Sequence, residues 1–463
     1  MQSSDFGDVL TQISRFLRLS RMRYTSLVLS FVFISLATNA QSVVKFPTIP
    51  NEGSNFTNSE SSWSIQSRIT PSIDGQTIYN IRYHADGKSA IIGTTDFYLF
   101  RISLLDGSMI WKTEAKMFYQ KEFDGPKIFD VSPDGKSFLS FGQTNPNVQS
   151  SERYLLIRST DTGGITKVFK PEFSLFHSIT ADIDYRYPGD AVKLSREESG
   201  LAPNWILTID SAKFIDQGKR ILASYKHNMD GPHFYDRRLI VYDTMTGKKI
   251  NDFQLTADPN TADWTQPAGF EIAHYQFPYQ YLEKRNTILY GNAHGRIHEL
   301  NETNMNQNSK ISLVEEKPAG PIIYIPESDS EDLQVKDRQT IRSMAITPDG
   351  NTLYCSGGVE SGYIQLYAFN LISKKEIFKS PIMDVGEILA PSSQILVLGG
   401  FTSSGKFYIV DTKKGELLFV SDDNENYIHP NLFITHPKQK EILALSTGNQ
   451  IVILRPQGGT SSW

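Results

Sequence analysis

The residue types best able to do chemistry gather in His227 to Arg238, HNMDGPHFYDRR. His227, Asp230, His233 and Asp236 recur there every third residue, and imidazole with carboxylate suits zinc or another divalent ion. The Gly231-Pro232 break prevents a single helical face, and solvated loops collect the same residue types. We therefore read these side chains, with Arg237, as a binding loop and assign no metal. A second cluster, ADIDYRYPGD (Ala181 to Asp190), interleaves Asp182 and Asp184 with Tyr185, Arg186 and Tyr187, the aromatic-plus-arginine mixture of a binding hot spot. Trp264 lies in a third such stretch, Thr256 to Gly269.

Other candidates read as structural. His294 and His298 would stand roughly 13 Å apart on a strand rising ~3.3 Å per residue, too far to share a metal without a turn. Glu327 to Asp332 (ESDSED) lacks the spacing of a calcium loop. Asp-Gly-Lys-Ser occurs at Asp86 and Asp134, but Arg82 and Asp130 replace the upstream glycine of a phosphate loop. No G-x-S-x-G nucleophile elbow occurs, and Asp130 is the one carboxylate clearly placed inside a first strand. Cys355 is the single cysteine, so no internal disulfide can form, and its strand context (TLYCSG) predicts a small buried hydrophobe. A net charge of −5 gives no basic footprint for nucleic acid.

The elements that must position these residues repeat along the chain. Ile341 to Ser380 contains four apolar runs with strand character, the first pair closed by Pro348-Asp349-Gly350-Asn351. Degenerate copies begin near Ile78, Ile128, Ile209, Phe270, Val385 and Leu432, the copy at Phe270 (FEIAHYQF) being the weakest. A first turn recurs at Asp86, Asp134, Asp216 and Asp349, and a second at Asp161, Asp243 and Asp411. The last copy stops after three strands at Pro456, and Trp63 to Ile69 (WSIQSRI) can supply the fourth. Closing a ring this way removes the exposed sheet edges of a linear array. The expectation is all-β: one closed seven-bladed β-propeller over Trp63 to Pro456, followed by a short tail, 457–463.

These turn signatures resemble the WD-repeat and YVTN-type propellers, in the broad group that includes quinoprotein amine dehydrogenase β-chain-like domains. Leu105-Asp106-Gly107-Ser108-Met109-Ile110-Trp111 resembles the end of a quinoprotein repeat. That Trp should recur, yet Phe169, Phe378 and Phe419 stand in its place, and the Gly-His and Trp-Asp dipeptides of the strict WD signature are absent.

Arg21 and Arg23 precede the apolar run Ser26 to Ala37, and Thr38-Asn39-Ala40 supplies small residues for a cut before Gln41. This pattern predicts a signal peptide over 1–40, from Met1 or from Met22, then a flexible leader over 41–62 and an extracytoplasmic, secreted or periplasmic, mature chain. The longest insertions join blades two to five at one end of the ring, and long loops in compact folds carry function. We expect a non-catalytic scaffold binding a protein or surface polymer through that end, with no cofactor, no nucleic acid and no membrane span in the mature form. A monomer is expected. The alternative is a propeller enzyme or cofactor carrier, quinoprotein-like or lactonase-like.

Overall fold

The computed structural model describes residues 62–115, 128–143, 153–169, 206–228, 237–255, 278–291, 296–301, 307–312, 340–358, 364–379, 385–400, 406–421 and 428–458. They form seven four-stranded antiparallel sheets. Blade one comprises Ile78–Tyr83, Ser89–Thr94, Tyr98–Ser103 and Met109–Glu114; blade two comprises Ile128–Val131, Ser137–Gln143, Arg153–Ser159 and Ile165–Phe169. Blade three is Ile206–Ile215, Arg220–Asn228, Arg237–Asp243 and Lys249–Leu255; blade four is Tyr279–Leu282, Thr287–Gly291, Arg296–Asn301 and Gln307–Ser312. Blade five is Thr340–Ile346, Thr352–Gly358, Ile364–Asn370 and Lys375–Lys379; blade six is Glu387–Leu389, Ile395–Gly399, Phe407–Asp411 and Glu416–Val420. Blade seven has Ile428–Thr435, Ile442–Ser446 and Ile451–Pro456, completed by Trp63–Ile69, which pairs antiparallel from Trp63 opposite Pro456 to Ile69 opposite Ile451. The expected ring closure is therefore present.

Burial explains why the second strand of each copy reads as continuous apolar sequence. Ser89–Thr94, Ile395–Gly399 and Ile442–Ser446 are buried along their whole length, because a blade covers each face. The outermost strand Met109–Glu114 is largely exposed and mixes Met, Ile and Trp with Lys, Thr and Glu. First strands lie against one another from blade one to blade three and from blade four to blade seven, and the first strand of blade seven returns to that of blade one.

The first turns repeat one hydrogen-bond pattern. Gly87 N donates to His84 O, Gly135 N to Ser132 O and Gly350 N to Thr347 O. In each, an aspartate carboxylate accepts the backbone N–H two residues on: Asp86 from Lys88 at 2.8 Å, Asp134 from Lys136 at 3.0 Å, and Asp349 from Asn351 at 3.1 Å. In blade three Asp216, Gln217 and Gly218 all take positive φ instead.

The sequence misplaces one strand. FEIAHYQF was expected to open blade four, but Tyr279–Leu282 does so, and 270–277 lie outside the described residues. Asn286 supplies the left-handed turn residue (φ 47°) without glycine, which concealed the true register. No helix among the described residues is long and apolar enough to cross a membrane.

Candidate functional site

The antiparallel register sets one end of the ring apart. Second and third strands of blades two and three part at Gln143/Arg153 and Asn228/Arg237, on either side of 144–152 and 229–236. The links after Phe169, Leu255 and Ser312 leave from that same end, while first and third turns occupy the other. His227 is the penultimate residue of one strand and Arg237 opens the next, so both stand beside the 229–236 connection. Asp182, Asp184, Tyr185, Arg186, Tyr187, Asp230, His233, Asp236 and Trp264 lie outside the described residues.

Two structural readings hold. His298 stacks on Tyr290 with ring centroids 4.7 Å apart, and Cys355 is fully buried, its thiol pushed up by burial. Trp111 donates Nε1–H to Thr160 O at 2.7 Å and stacks on Phe138, locking blade one to blade two. Phe169 packs on Tyr242 of blade three in the corresponding seam. A phenylalanine thus fills this seam where blade one uses a tryptophan.

Sequence reasoning missed a polar arc on the first strands. Arg82, Asp130, Lys213 and Gln280 pair with Ile91, Leu139, Leu222 and Leu289, each the third residue of the following strand. They are register equivalents in four consecutive blades, and each reaches the next blade. Arg82 Nε donates to Phe129 O at 3.0 Å, and Asp130 Oδ2 accepts from Phe214 N at 2.9 Å. Lys213 Nζ stands 3.5 Å from Gln280 Oε1, and Gln280 Nε2 donates to Met344 O at 2.6 Å. In blades five to seven the same position holds Ala345, Leu389 and Phe433.

Glu387, on the first strand of blade six, completes the constellation. The charges of Glu387 and of Arg82 in blade one bear on each other's ionisation. All four charged groups keep some exposed surface yet are strongly desolvated. Burial raises the Glu387 carboxyl to about 7 against the pull of Arg82, and raises Asp130 despite the N–H groups of Phe214 and Val131. Burial lowers Lys213 to about 8, opposed by Asp130 and Glu283, and lowers Arg82, opposed by Asp130 and Glu387. Asn80, one pleat from Arg82, has a buried Oδ1 without a hydrogen-bond partner. Burial thus draws both Glu387 and Lys213 toward their neutral forms. Among the described residues no three His, Cys, Asp or Glu side chains are placed to hold a metal ion.

The fold is that of a seven-bladed β-propeller. No family model matches the chain, and no curated protein matches it. Among solved structures it is similar to the "Myceliophteria_thermophila Cps50 (Swd1) beta-propeller domain", with TM-score 0.51 and 11% identity over 85% of this chain and 99% of that one. At that identity the likeness concerns the fold.

Proposed function

We propose that this chain is a non-catalytic, extracytoplasmic propeller that holds a protein or surface polymer on the end of the ring bearing the long connections. One observation carries the reading: the turn end is built from short repeated turns, whereas 144–152, 170–205, 229–236, 256–277 and 313–339 all join strand ends at the other. A rigid ring with its sequence freedom concentrated at one end suits recognition. Propellers of the WD-repeat type generally serve protein interaction, which supports the same reading. Arg21, Arg23 and the apolar run Ser26 to Ala37 support export, with the cut after Ala40.

The test has two arms. Intact mass of protein from an extracytoplasmic fraction should correspond to a chain starting at Gln41; retention of the preceding residues contradicts export with cleavage. Cross-linking mass spectrometry should place partner contacts on 170–205 and 229–236. Replacing these connections with short Gly/Ser linkers should remove those cross-links and leave the unfolding transition intact. Unchanged cross-links, or an unfolded variant, would reject the reading.

The second reading is a small-molecule site on the first strands, favoured by the register-equivalent polar groups Arg82, Asp130, Lys213 and Gln280 in four consecutive blades. A stoichiometric extra mass in the native spectrum would favour it.

A further inference from the structure

The polar arc on the first strands has a second level. Two residues before Arg82, Lys213, Ala345 and Leu389, toward the end bearing the long connections, stand Asn80, Ser211, Ser343 and Glu387. They pair with Gly93, Ser224, Ser356 and Gly399, each the fifth residue of the following strand. Alternate residues share a sheet face, so the two levels lie one pleat, about 7 Å, apart. First strands form the inner edges of the blades, and Asn80, Arg82, Asp130, Ser211, Lys213 and Glu387 keep some surface open there.

The two levels differ in chemistry. The one nearer the first turns carries the cations Arg82 and Lys213, with Asp130 on the blade between them. Both oxygens of Asp130 are taken by backbone N–H groups, of Val131 at 2.9 Å and Phe214 at 2.9 Å. The other level is rich in acceptors: the Glu387 carboxylate, the Asn80 amide oxygen and serine hydroxyls. Asn80 Oδ1, Ser211 Oγ, Ser224 Oγ and Ser356 Oγ are buried atoms without a hydrogen-bond partner among the described residues, and all four belong to it. Such atoms are rare in folded proteins and costly, and their concentration at one level is the mark of a binding site.

The charges are equally unmatched. Among the described residues the Glu387 side chain makes no hydrogen bond or ion pair. Lys213 reaches Gln280 Oε1 at 3.5 Å and the Tyr279 ring at 5.3 Å, while Arg82 donates to the carbonyls of Phe129 and Ile81. The four charged groups still share one neighbourhood, because Glu387 bears on Arg82, Arg82 on Asp130 and Asp130 on Lys213. Their formal charges cancel, which disfavours a ligand of net charge. A neutral ligand that is itself divided into two charges suits both levels.

We propose that the first strands bind a small zwitterion of the α-amino acid class, its carboxylate held by Arg82 and Lys213 and its ammonium by Glu387, Asn80 Oδ1 and Ser211 Oγ. This rests on the small-molecule reading above and gives that site its ligand class. An ammonium brings three N–H donors and no acceptor, which matches the acceptor-rich level. A carboxylate forms charge-assisted hydrogen bonds with guanidinium and lysine ammonium groups on the other. Opposite charges on the ligand also favour the ionised forms of Glu387 and Lys213, which burial alone opposes.

Titration calorimetry of the full chain at neutral pH against the common α-amino acids tests this. Each amino acid that binds is compared with its decarboxylated amine and its deaminated acid, as alanine is with ethylamine and propionate. Both counterparts should bind at least about tenfold more weakly. Glu387→Gln should weaken the amino acid about tenfold and leave the acid unchanged; Lys213→Met should do the same and leave the amine unchanged. A merely structural role for either residue would shift all three ligands together. Ser211→Ala removes a hydroxyl that has no partner in the chain, so it should unfold no earlier than the parent and still bind the amino acid more weakly. An amine or acid that binds as tightly as the amino acid would overturn the zwitterion and leave a small-molecule site of one charge. If nothing binds, the native mass separates the two readings. An extra mass equal to an amino acid supports the proposal, an extra mass of another class overturns it alone, and a bare chain overturns both it and the small-molecule site.

Discussion

Tyr83 donates its hydroxyl proton to Glu441 Oε1 at 2.5 Å across a sequence separation of 358 residues. Tyr83 belongs to blade one, and Glu441 immediately precedes the second strand of blade seven, so the bond ties the two ends of the ring together. Glu441 is 2% exposed and also accepts from Arg455 Nε at 2.6 Å. Burial first, and then the Glu441 carboxylate, push the Tyr83 hydroxyl well up, so it remains a donor at all ordinary pH. Tyr83→Phe should cost about 1 kcal/mol, since Arg455 continues to satisfy the carboxylate. Glu441→Ala should cost more, about 2–3 kcal/mol, by leaving a buried hydroxyl unpaired. Guanidinium unfolding measures both. Limited proteolysis should show Trp63–Ile69 released earlier in Glu441→Ala than in the parent.

Arg158 presents a different device: a buried guanidinium with no carboxylate against it among the described residues. Its Nε donates to Ser140 Oγ at 3.0 Å, and its two terminal nitrogens donate to Gly163 O at 2.9 Å and Ala115 O at 3.0 Å. Ala115 follows the last strand of blade one, so the fork fastens blade one to blade two. Desolvation lowers Arg158 to about 10, which leaves it charged at neutrality. Arg158→Met should destabilise by about 3 kcal/mol, because three acceptors lose their donor in a dry seam. Arg158→Lys should recover less than half of that loss, since a point charge cannot span three carbonyl or hydroxyl oxygens in a plane. Urea unfolding of the three proteins checks the order parent, Lys, Met.

Gly87 occupies a first turn at φ 66°, and a Cβ there would lie 1.9 Å from His436 Nε2 of blade seven. Gly87→Ala should therefore carry both a left-handed backbone cost of about 1–2 kcal/mol and a steric one. Adding His436→Ala should remove the steric part alone. A double-mutant cycle read by thermal unfolding should show positive coupling; strict additivity would mean that the turn relaxes away from the imidazole.

Most of this architecture was legible because the repeated turns use residues whose chemistry is local. Asp86, Gly87 and Lys88 announce a hairpin without help from the rest of the chain, and Trp63 to Ile69 announces a strand in search of a sheet. Blade four was the exception, because Asn286 replaces the expected glycine and the segment Glu283–Arg285 makes a helical turn of the connection. The axial site was legible only as Asp130. Arg82, Lys213, Gln280 and Glu387 carry no shared motif; what unites them is position, the register of first strands in different blades. Such a site exists only once the ring has closed. The looped end was legible as long insertions, and its predicted binding residues lie outside the described part of the chain.

Glu387 yields the sharpest test of the axial arrangement. In the folded ring its carboxyl titrates at about 7, raised from 4.5 by burial, with Arg82 opposing the rise. Between those two values the folded state holds a proton that the unfolded chain has released. Stability contributed by this group must therefore fall as pH rises from about 4.5 to 7, and stay reduced above. Glu387→Gln removes the ionisation, so its stability should be flat across that window apart from the other carboxylates. It should exceed the parent at pH 8 by about 2 kcal/mol, a figure already reduced for the surface that Glu387 keeps open to water. Lys213 gives the opposite sign in a separate range. Burial lowers it from 10.5 to about 8, so the unfolded chain binds the extra proton between those values and stability rises with pH. Lys213→Met should abolish that alkaline rise and leave the acidic slope untouched. Urea unfolding from pH 4.5 to 10 on the parent and both variants separates the two groups. A parent curve without the fall toward pH 7, or a Glu387→Gln curve that retains it, would place the Glu387 carboxylate in water, away from the dry axis.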